Sequence, residues 1–426
     1  MDINRKTAYL TLLDIENRNS YSNIALNHRI IMHKPENTAF VRDLVYGVLE
    51  NKILLDYCID KLIPKDVGKM KKNVLTILRM GIYQLAQMDS VPEYAAVNES
   101  VILAKKYARG REGFVNGVLR GYISKKFKIT LPDKNEDYVK YLSVKYSYDS
   151  WIVKLWIEVY GEKTAESLLA AGNESTDMTI RCNWLKIMRP ELIDLLRGEG
   201  FEAVPGKISK NAIHVKGSDI LNSESYKKGF FSVQDEASQM VAIMMEPDFE
   251  DVIVDVCAAP GGKSLAMAEM MNNRGLVVAR DIYKRKLSII EKEARRLGIN
   301  IVKPQTWDGE RLDESMTGKA DKVLVDAPCS GLGVIRKKPE IKYTKDSNEI
   351  KQLPQNQLSI LNVSGNYVKK GGIIIYSTCT INPYENERVI ADFLSKNKDF
   401  ELVESRQYLP HTDGTDGFFI CKMKRI

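Results

Sequence analysis

From about Gly229 onward, short apolar runs alternate with helical stretches, and this alternation constrains the fold more than any other feature of the sequence. The runs read VIVDV, LVVAR, IVKPQ, KVLVDA and IIIYST. Strands of this kind, apolar on both faces and separated by helices, belong to a parallel sheet covered on both sides. GFFICKMKRI, at the end of the chain, is predicted to form an edge strand. We therefore predict an α/β domain over residues 229–426.

The first 130 residues have a helical periodicity that no strand alternation interrupts. Apolar residues recur at helical spacing in AFVRDLVYGVLENKILLDYCIDKLI, VLTILRMGIYQLAQM and EYAAVNESVILAKKYA, and Pro64 and Pro92 mark the joints. A chain of 426 residues is too long for one ordinary domain. We therefore predict an all-helical bundle over residues 1–130, ahead of the α/β domain.

Residues 131–228 are predicted to form linker helices and a small α/β module. The stretch MTIRCNW alternates, which predicts a strand with two distinct faces. A helix from Pro190 to Gly200 and short strands around FEAVPG and AIHVKG complete the module. One face of the first strand carries Met178, Ile180, Cys182 and Trp184, and the other carries Thr179, Arg181 and Asn183. We expect the second face to be exposed.

The net charge of +7 is concentrated in one stretch of the chain. Between Val101 and Lys145 there are eleven Lys or Arg residues against four Asp or Glu, whereas the remaining residues are balanced. Such a cluster is either a solvated helix face or the footprint of a polyanion, and charge alone leaves both open. Its core consists of Lys105, Lys106, Arg109, Arg111, Arg120, Lys125, Lys126 and Lys128.

The sequence carries no pattern typical of export, membrane insertion or a structural metal site. The N-terminus is charged throughout, and no uncharged apolar run reaches the ~18 residues that a membrane span needs. The six cysteines form no CxxC pair and only four histidines are present, so we expect no metal. We expect a cytoplasmic protein, monomeric and without a membrane partner, whose thiols stay reduced.

A turn of small residues, CAAPGGKS, follows the first strand of the α/β domain and leads into a helix. A P-loop would need glycine where Cys257 stands, and the GxGxxG pattern of dinucleotide sites is absent. A nucleoside cofactor without a pyrophosphate, such as S-adenosyl-L-methionine, is the remaining possibility. Asp281 and Asp308 follow the second and third strands, where carboxylates can accept from a ribose and an adenine amino group. Helix capping is the ordinary alternative for either acid alone.

Two cysteines follow the fourth and fifth predicted strands, in DAPCSGLG and IYSTCT. The carboxyl ends of parallel strands meet in one crevice, so we expect Cys329, Cys379 and Asp326 to lie close together. Such a group suits methylation of a cytosine at carbon 5. A thiolate that adds to carbon 6 makes carbon 5 nucleophilic, and a base later removes the carbon 5 proton so that the thiolate leaves. Structural packing is the alternative for either cysteine alone.

The motifs CAAPGGK, DAPCSG and YSTCT, in this order, closely resemble those of the RNA cytosine-5 methyltransferases of the Sun/Fmu and NOL1/NOP2 type, over residues 140–426. The N-terminal region resembles the RNA-binding NusB fold in FVRDLVYGVLEN, ILRMGIYQLAQM, VPEYAAVNESVILAKKY and FVNGVLRGY. Together they imply a NusB-like bundle, a small α/β RNA-binding module and a Rossmann-like class I methyltransferase domain with a mostly parallel seven-stranded sheet. They also imply a 16S rRNA substrate, methylated at an unpaired or loop cytosine (position 967 in the usual rRNA numbering).

The resemblance implies a role for each residue at a matching position. Cys379 is the nucleophile, Cys329 assists resolution and product release, and Asp326 recognises the flipped base. The residues implied to hold S-adenosyl-L-methionine are Cys257, Ala258, Ala259, Pro260, Gly261, Gly262, Lys263, Asp281, Asp308 and Asp326. The candidate RNA contacts are Lys105, Lys106, Arg109, Arg111, Lys125, Lys126 and Arg181. Two positions depart from the family pattern: Thr380 replaces a usual serine, and Arg280 replaces a usual apolar residue.

Three alternatives remain open on the sequence alone. A DNA cytosine methyltransferase would attack with the cysteine after proline, Cys329, and would not depend on Cys379. A non-catalytic RNA-binding or assembly factor would keep the helical bundle and lose motif residues, which are all present here. A cytosine-5 methyltransferase that acts on another RNA would share every motif. We expect RNA, and not DNA, as the partner.

Overall fold

The computed structural model describes residues 1–18, 21–63, 67–125, 130–217 and 219–426. These residues form two compact units. The first unit comprises Met1–Glu174 and Ile335–Lys345, and the second comprises Ser175–Val334 and Asp346–Ile426. The division into three domains at residues 130 and 228 stays a prediction about folding units.

The first unit is helical, as its periodicity predicts. Fully buried aliphatic side chains such as Leu44, Val45, Ile77 and Leu78 form its core, and each pair of neighbours lies on the inward face of one helix. Asn37 caps the third helix by accepting from the backbone N–H of Phe40 at 2.9 Å. The helices are α1 (Ile3–Arg18), α2 (Ser22–His33), α3 (Thr38–Glu50), α4 (Lys52–Leu62), α5 (Lys72–Gln87), α6 (Glu93–Tyr107), α7 (Glu112–Ser124), α8 (Tyr138–Tyr146), α9 (Ser150–Tyr160) and α10 (Glu162–Ala171).

The small α/β module opens the second unit. Its four strands form an antiparallel sheet in the order β2-β3-β1-β4. Ile180, Ile213 and Phe231 are fully buried and pack together beneath it. The elements are β1 (Met178–Cys182), α11 (Arg189–Gly198), β2 (Glu202–Pro205), β3 (Ala212–Lys216), α12 (Glu224–Lys227) and β4 (Phe231–Val233).

The prediction that the second face of β1 is exposed is wrong. Arg181 is 3% exposed and Asn183 is fully buried. Asn183 donates to the backbone carbonyls of Gly229 and Leu297, at 2.9 and 3.0 Å. Alternation in a sequence separates the two faces of a strand, but it does not show whether further chain covers the polar face.

A seven-stranded, mostly parallel sheet forms the rest of the second unit, with strand order β10-β11-β9-β8-β5-β6-β7. Strands β5 to β9 pair in parallel, whereas β11 pairs antiparallel with both β9 and β10. The elements of this part of the second unit are α13 (Glu236–Met245), β5 (Val252–Asp255), α14 (Gly262–Met270), β6 (Leu276–Asp281), α15 (Lys284–Leu297), β7 (Val302–Thr306), β8 (Ala320–Asp326), α17 (Ser347–Gly365), β9 (Val368–Thr378), α18 (Glu387–Lys396), β10 (Phe400–Tyr408), α19 (Pro410–Asp413) and β11 (Phe418–Arg425). Between β8 and α17 the chain forms α16 (Ile341–Thr344), which belongs to the first unit.

The predicted Rossmann-like sheet is confirmed, but the position of its last strand is not. GFFICKMKRI forms β11, which lies between β9 and β10, so β10 is the edge strand. The strands β5, β6, β7, β8 and β9 all end on the same side because they run parallel, and the loops after them meet there. In the described part of the chain, no helix has the length and apolar character required to span a bilayer.

One segment of the first unit comes from far along the chain. Residues 335–345, which include α16, belong to the helical unit although the segments on both sides belong to the second unit. The Lys342 side chain is fully buried, donates to the backbone carbonyl of Glu50 at 3.2 Å and lies 4.3 Å from the ring centroid of Tyr148. Glu340 accepts from the backbone N–H of Ser22 at 3.0 Å. The segment is therefore an integral part of the helical core.

Candidate active site

The loop after β5 brings small residues and backbone to the carboxyl edge of the sheet. The N–H of Ala258 donates to the carbonyl of Arg280 at 2.7 Å, which fixes the loop against β6. Gly261 has a φ of +107°, and a β-carbon there would lie 2.9 Å from Ile290 Cγ1. Only glycine fits that conformation and that space, so α14 can begin directly after the turn. This arrangement allows a ligand to approach the backbone closely.

Arg181 of the small module holds the start of α14. Its guanidinium makes a two-pronged ion pair with Glu269 at 2.8 and 3.0 Å, and both side chains are at least 95% buried. It also donates to the carbonyl of Gly262 at 2.9 Å and to the Gln234 side chain. A guanidinium engaged in this way cannot contact a phosphate, so Arg181 is not an RNA contact but supports the loop after β5.

Carboxylates occupy the ends of β5, β6 and β8 and the loop after β7. Asp281 accepts from the N–H of Tyr283 at 2.8 Å, and Asp308 accepts from the N–H of Glu310 at 3.1 Å. Each of these contacts occupies one lone pair of a carboxylate that has about four, so both acids can still accept from a ligand. Asp255 is fully buried, accepts from the Ser264 hydroxyl through Oδ2, and has no partner for Oδ1.

Asp326, at the end of β8, accepts hydrogen bonds from two polar side chains. Its Oδ2 accepts from Lys263 Nζ at 2.6 Å and its Oδ1 accepts from the Ser377 hydroxyl at 2.8 Å. Burial disfavours the ammonium of Lys263, but the charge and hydrogen bond of Asp326 outweigh it, and the pKa of Lys263 is raised. Lys263 therefore remains a cation, 5.1 Å from the ring centroid of Phe418.

The two cysteines singled out by the sequence are in contact. The sulfur atoms of Cys329 and Cys379 lie 3.3 Å apart, with each residue in the loop after its own strand. The hydrogen bond between the thiols, burial and the negative charges of Cys379 and Glu385 raise the pKa of Cys329 well above its usual range. The two thiols therefore share one hydrogen bond, in which either sulfur can be the donor.

Backbone contacts join the two cysteine loops. Ala327 N–H donates to the carbonyl of Ser377 at 2.9 Å, and Gly333 N–H donates to the carbonyl of Cys379 at 3.0 Å. A β-carbon on Gly333 would lie 1.8 Å from the carbonyl oxygen of Gly417, so this position admits glycine alone. The cysteine loops are therefore held as one unit on both sides of the thiol pair.

Comparisons with known proteins agree with this geometry. Residues 242–424 match the family model described as 16S rRNA methyltransferase RsmB/F, residues 2–124 match NusB family, and residues 148–220 match the ferredoxin-like domain of RsmF/B-like methyltransferases. A probable ribosomal RNA small subunit methyltransferase B of Bacillus subtilis is 38% identical, over 99% of this chain and 98% of its own. The chain belongs to the 16S rRNA methyltransferase RsmB/F family.

Other members and solved structures extend the same likeness. Ribosomal RNA small subunit methyltransferase B of Pectobacterium carotovorum is 31% identical over 91% of this chain and 90% of its own. The crystal structure of PH0851 superposes with a TM-score of 0.86 and 26% identity, covering 100% of this chain and 99% of that one. NSun6 from Pyrococcus horikoshii, solved with SFG, has a TM-score of 0.60 at 22% identity over 64% of this chain and 97% of its own, which shows the shared fold.

The departures from the RsmB/F family pattern have distinct surroundings. Thr380 is fully buried, and its hydroxyl contacts that of Ser330 at 2.8 Å. Arg280 is 1% exposed, pairs with Asp313 and donates to Gln305 Oε1 at 2.8 Å. Arg280 therefore points away from bulk solvent, and its charge is balanced within the fold.

Sequence reasoning missed several polar residues of this RsmB/F site. Ser330 directly follows Cys329 and Ser377 lies two residues before Cys379, and this nearness in sequence is a signal that could identify them. Glu385 contacts Ser330 across 55 positions of the chain, and no local pattern indicates such a contact. Among the residues that the structure describes, no group of three or more His, Cys, Asp or Glu side chains has a metal-binding arrangement.

The candidate RNA contacts of the first unit are exposed where the structure describes them. They lie in α6 and α7 and in the turns that follow each helix. These residues are Lys105, Lys106, Arg109, Arg111 and Lys125, and Arg120 of the same basic cluster is also exposed. Lys126 and Lys128 lie outside the described residues.

Proposed function

We propose that this RsmB/F-family protein methylates carbon 5 of a cytosine in 16S rRNA, with S-adenosyl-L-methionine as methyl donor. The observation that carries the proposal is the contact between Cys329 and Cys379, at 3.3 Å, beside the Asp326–Lys263 pair. The thiol pair suits attack on a pyrimidine ring followed by release of the product. The names of the relatives support the rRNA substrate, and the resemblance of the motifs supports cytosine 967 as the nucleotide.

The cofactor residues fit a sulfonium nucleoside better than a phosphate ligand. The loop Cys257–Lys263 lacks the glycine of a phosphate cradle, and the carboxylates Asp281 and Asp308 lie at the end of β6 and in the loop after β7. Carboxylates repel a pyrophosphate but accept hydrogen bonds from ribose hydroxyls and amino groups. When bound, S-adenosyl-L-methionine supplies an electrophilic methyl group.

The resemblance of the motifs supports different roles for the two thiols. By that resemblance, Cys379 is the thiolate that attacks carbon 6 of the cytosine. The resulting adduct has an electron-rich carbon 5, which can take up a methyl group. A base then takes the proton from carbon 5, the double bond between carbon 5 and carbon 6 forms again, and Cys379 leaves carbon 6 as a thiolate. Cys329, at 3.3 Å, is placed to assist this release.

Asp326 can also recognise the base. Its two oxygens accept from Lys263 and Ser377, which occupies two of about four lone pairs. The cytosine amino group can therefore donate to the same carboxylate, which an unpaired, flipped-out base would reach. Lys263 donates to Asp326 Oδ2 at 2.6 Å and so fixes the orientation of the carboxylate. The exposed basic residues of α6 and α7 are proposed to hold rRNA through its phosphates.

Separate replacement of the two cysteines by serine tests the proposal. Cys379→Ser should abolish methyl transfer and covalent attachment to RNA, because its hydroxyl is a far weaker nucleophile than a thiolate. Cys329→Ser should retain attack and accumulate a protein–RNA adduct that resists denaturing electrophoresis. Both variants should bind S-adenosyl-L-methionine as the parent does, measured by calorimetry. Loss of activity in Cys329→Ser alone, without an adduct, would contradict the assignment.

The target nucleotide requires a separate experiment. Bisulfite mapping of 16S rRNA from a strain without this protein should show a single missing 5-methylcytosine, which the parent protein restores and Cys379→Ser does not. If the 5-methylcytosines of 16S rRNA were unchanged and one were missing from another RNA, that RNA would be the substrate and the proposal of 16S rRNA would be wrong.

A further inference from the structure

Glu385 lies between the two cysteine loops and is completely buried. It precedes α18, and its carboxylate accepts four hydrogen bonds. Two come from Ser330, through its N–H at 2.8 Å and its hydroxyl at 2.6 Å. The others come from Gln357 Nε2 at 3.1 Å and Asn382 Nδ2 at 2.9 Å. These four donors fill the acceptor capacity of a carboxylate.

The donors hold the Cys329 loop on both sides of the cysteine. Gln357, on α17, donates to the carbonyl of Pro328 at 2.9 Å as well as to Glu385. Ser330 follows Cys329 directly, and its backbone and side chain both bind Glu385. The peptide that carries the Cys329 thiol is therefore fixed on its two flanks by one connected network.

The same network reaches the Cys379 loop through a chain of hydroxyls. Ser330 has one hydroxyl proton, which it donates to Glu385, so the 2.8 Å contact with Thr380 requires Thr380 to be the donor. Thr380 follows Cys379 directly, and its oxygen also accepts from the N–H of Asn382 at 3.2 Å. The residues immediately after both cysteines are thus bonded to one another and, through Ser330, to one carboxylate.

We propose that Glu385 is a positioning residue that sets the separation of the Cys329 and Cys379 thiols through Ser330 and Thr380. The inference rests on the proposed function for its consequence in catalysis, but its geometric content concerns the protein alone. An amide in place of the carboxylate would present two N–H donors to neighbours that are themselves donors. The hydrogen bonds between the two cysteine loops would then break, and the distance between the Cys329 and Cys379 sulfur atoms would increase.

The primary test measures how readily the two thiols join in the absence of RNA and cofactor. Diamide oxidises a pair of adjacent thiols to a disulfide: two S–H bonds break, one S–S bond forms, and the two hydrogens pass to the diazo group. The full-length protein is treated with diamide, and the Cys329–Cys379 linked peptide is quantified over time by mass spectrometry. Glu385→Gln should slow this linkage at least about tenfold.

Conservative variants separate positioning from general loss of structure. Thr380→Ser keeps the hydroxyl donor and should link at the parent rate, whereas Thr380→Val removes it and should slow the linkage by about threefold to tenfold. Glu236→Gln is the matched control. Glu236 is 2% exposed and accepts from three backbone N–H groups at 2.6–3.0 Å, far from the cysteines in sequence. It should lower the melting temperature without slowing the linkage.

Catalysis supplies the second readout. Glu385→Gln should lower kcat by about tenfold or more while KM for RNA and for S-adenosyl-L-methionine stays within about twofold, because the thiols and not the binding surfaces are displaced. Parent-like linkage rates in both Glu385→Gln and Thr380→Val would overturn the positioning role. A parent protein that methylates no cytosine, with slowed linkage in Glu385→Gln, would instead overturn the proposed function alone.

Discussion

Asp255, at the end of β5, is a carboxyl group that keeps its proton to an unusually high pH. Complete burial raises its pKa from 3.8 to about 7, against the opposing effect of the Ser264 hydroxyl, and the nearby charge of Asp326 adds to the rise. When Asp255 is ionised, its buried Oδ1 carries negative charge without a hydrogen-bond partner. Ionisation of Asp255 therefore destabilises the loop after β5, and the stability of that loop depends on pH.

The sign of this coupling gives a prediction for Asp255→Asn. Between pH 4 and 7 the folded state binds more protons at this site than the unfolded state, so its contribution is fully present below about pH 4 and is lost as pH rises through 7. The parent should lose up to about 4 kcal/mol of unfolding free energy over this window relative to the variant. Urea unfolding of both proteins at pH 4.5 and 8 measures the difference. Equal pH dependence in the two proteins would contradict the raised pKa.

Arg280 shows how a charged residue can replace an apolar one at a buried position. Its guanidinium centre lies 5.1 and 5.3 Å from the ring centroids of Trp307 and Tyr367, and it pairs with Asp313. Aromatic faces and one carboxylate together replace the solvation that the cation loses. Asp281, the next residue in the sequence, thus follows a cation whose charge is already neutralised.

At the scale of elements, β1 and α14 are joined by the Arg181–Glu269 pair. Removal of one member leaves the other as an uncompensated charge in a site that excludes water, and the cost exceeds that of replacing both. The same guanidinium binds the carbonyl of Gly262, at the first residue of α14. The small module is therefore part of the structural support of the loop after β5 and of the start of α14.

Arg181→Met should accordingly destabilise α14 by about 3–5 kcal/mol, and the double variant Arg181→Met/Glu269→Met should recover much of this loss. Hydrogen exchange of the α14 amides measures the local opening free energy. Affinity for S-adenosyl-L-methionine should fall in the single variant. Lys227→Met is the control, because the Lys227–Glu224 pair is 60% and 65% exposed and should change exchange little. A double variant less stable than the single one would refute the interpretation.

The elements with strong periodicity could be predicted from the sequence, and those without it could not. The five parallel strands and the helical bundle follow from apolar patterns that local residues carry. Strand β10 lies at the sheet edge, is mostly exposed and contains several charged residues, and even Leu402 and Val403 are half exposed. Its sequence therefore lacks the alternation of apolar and polar residues that would predict a strand. Because β10 cannot be recognised in the sequence, the sequence predicts the C-terminal strand, β11, at the edge of the sheet.

The site divides in the same way. The proximity of Asp326, Cys329 and Cys379 could be predicted from the motifs, because the carboxyl ends of parallel strands converge whatever the details of the side chains. Glu385 and Arg181 act through partners 55 and 88 positions away, and a pairing of that range exists only once the chain is folded. The exposure of Arg181 was misjudged for the same reason: the chain that covers it is remote in sequence.

At the scale of the whole molecule, Lys342 connects the late segment 335–345 to the helical unit. Burial lowers the pKa of its ammonium from 10.5 to about 7, partly offset by the charge of Glu50. Between pH 7 and 10.5 the unfolded state binds more protons at this site than the folded state, so the contribution of Lys342 to stability rises with pH over that range.

Lys342→Met should remove this rise. Relative to the variant, the melting temperature of the parent should increase between pH 7 and 9.5, measured by calorimetry in matched buffers. Lys345→Met, a change of the half-buried lysine in the same segment, should retain the parent's pH dependence. If the difference in melting temperature between the parent and Lys342→Met did not change with pH, the ammonium of Lys342 would be solvated in the folded protein.

The membership of residues 335–345 in the helical unit also bears on synthesis of the chain. Glu340 and Tyr343 line the same cavity as Leu12, Val48 and Leu49. The ribosome must therefore add the residues from 175 to 345 before that part of the helical core can close. At about 5–20 residues per second, this takes roughly 10 to 30 s. During that interval the nascent helical unit exposes apolar side chains, and chaperones that bind nascent chains would find their target there.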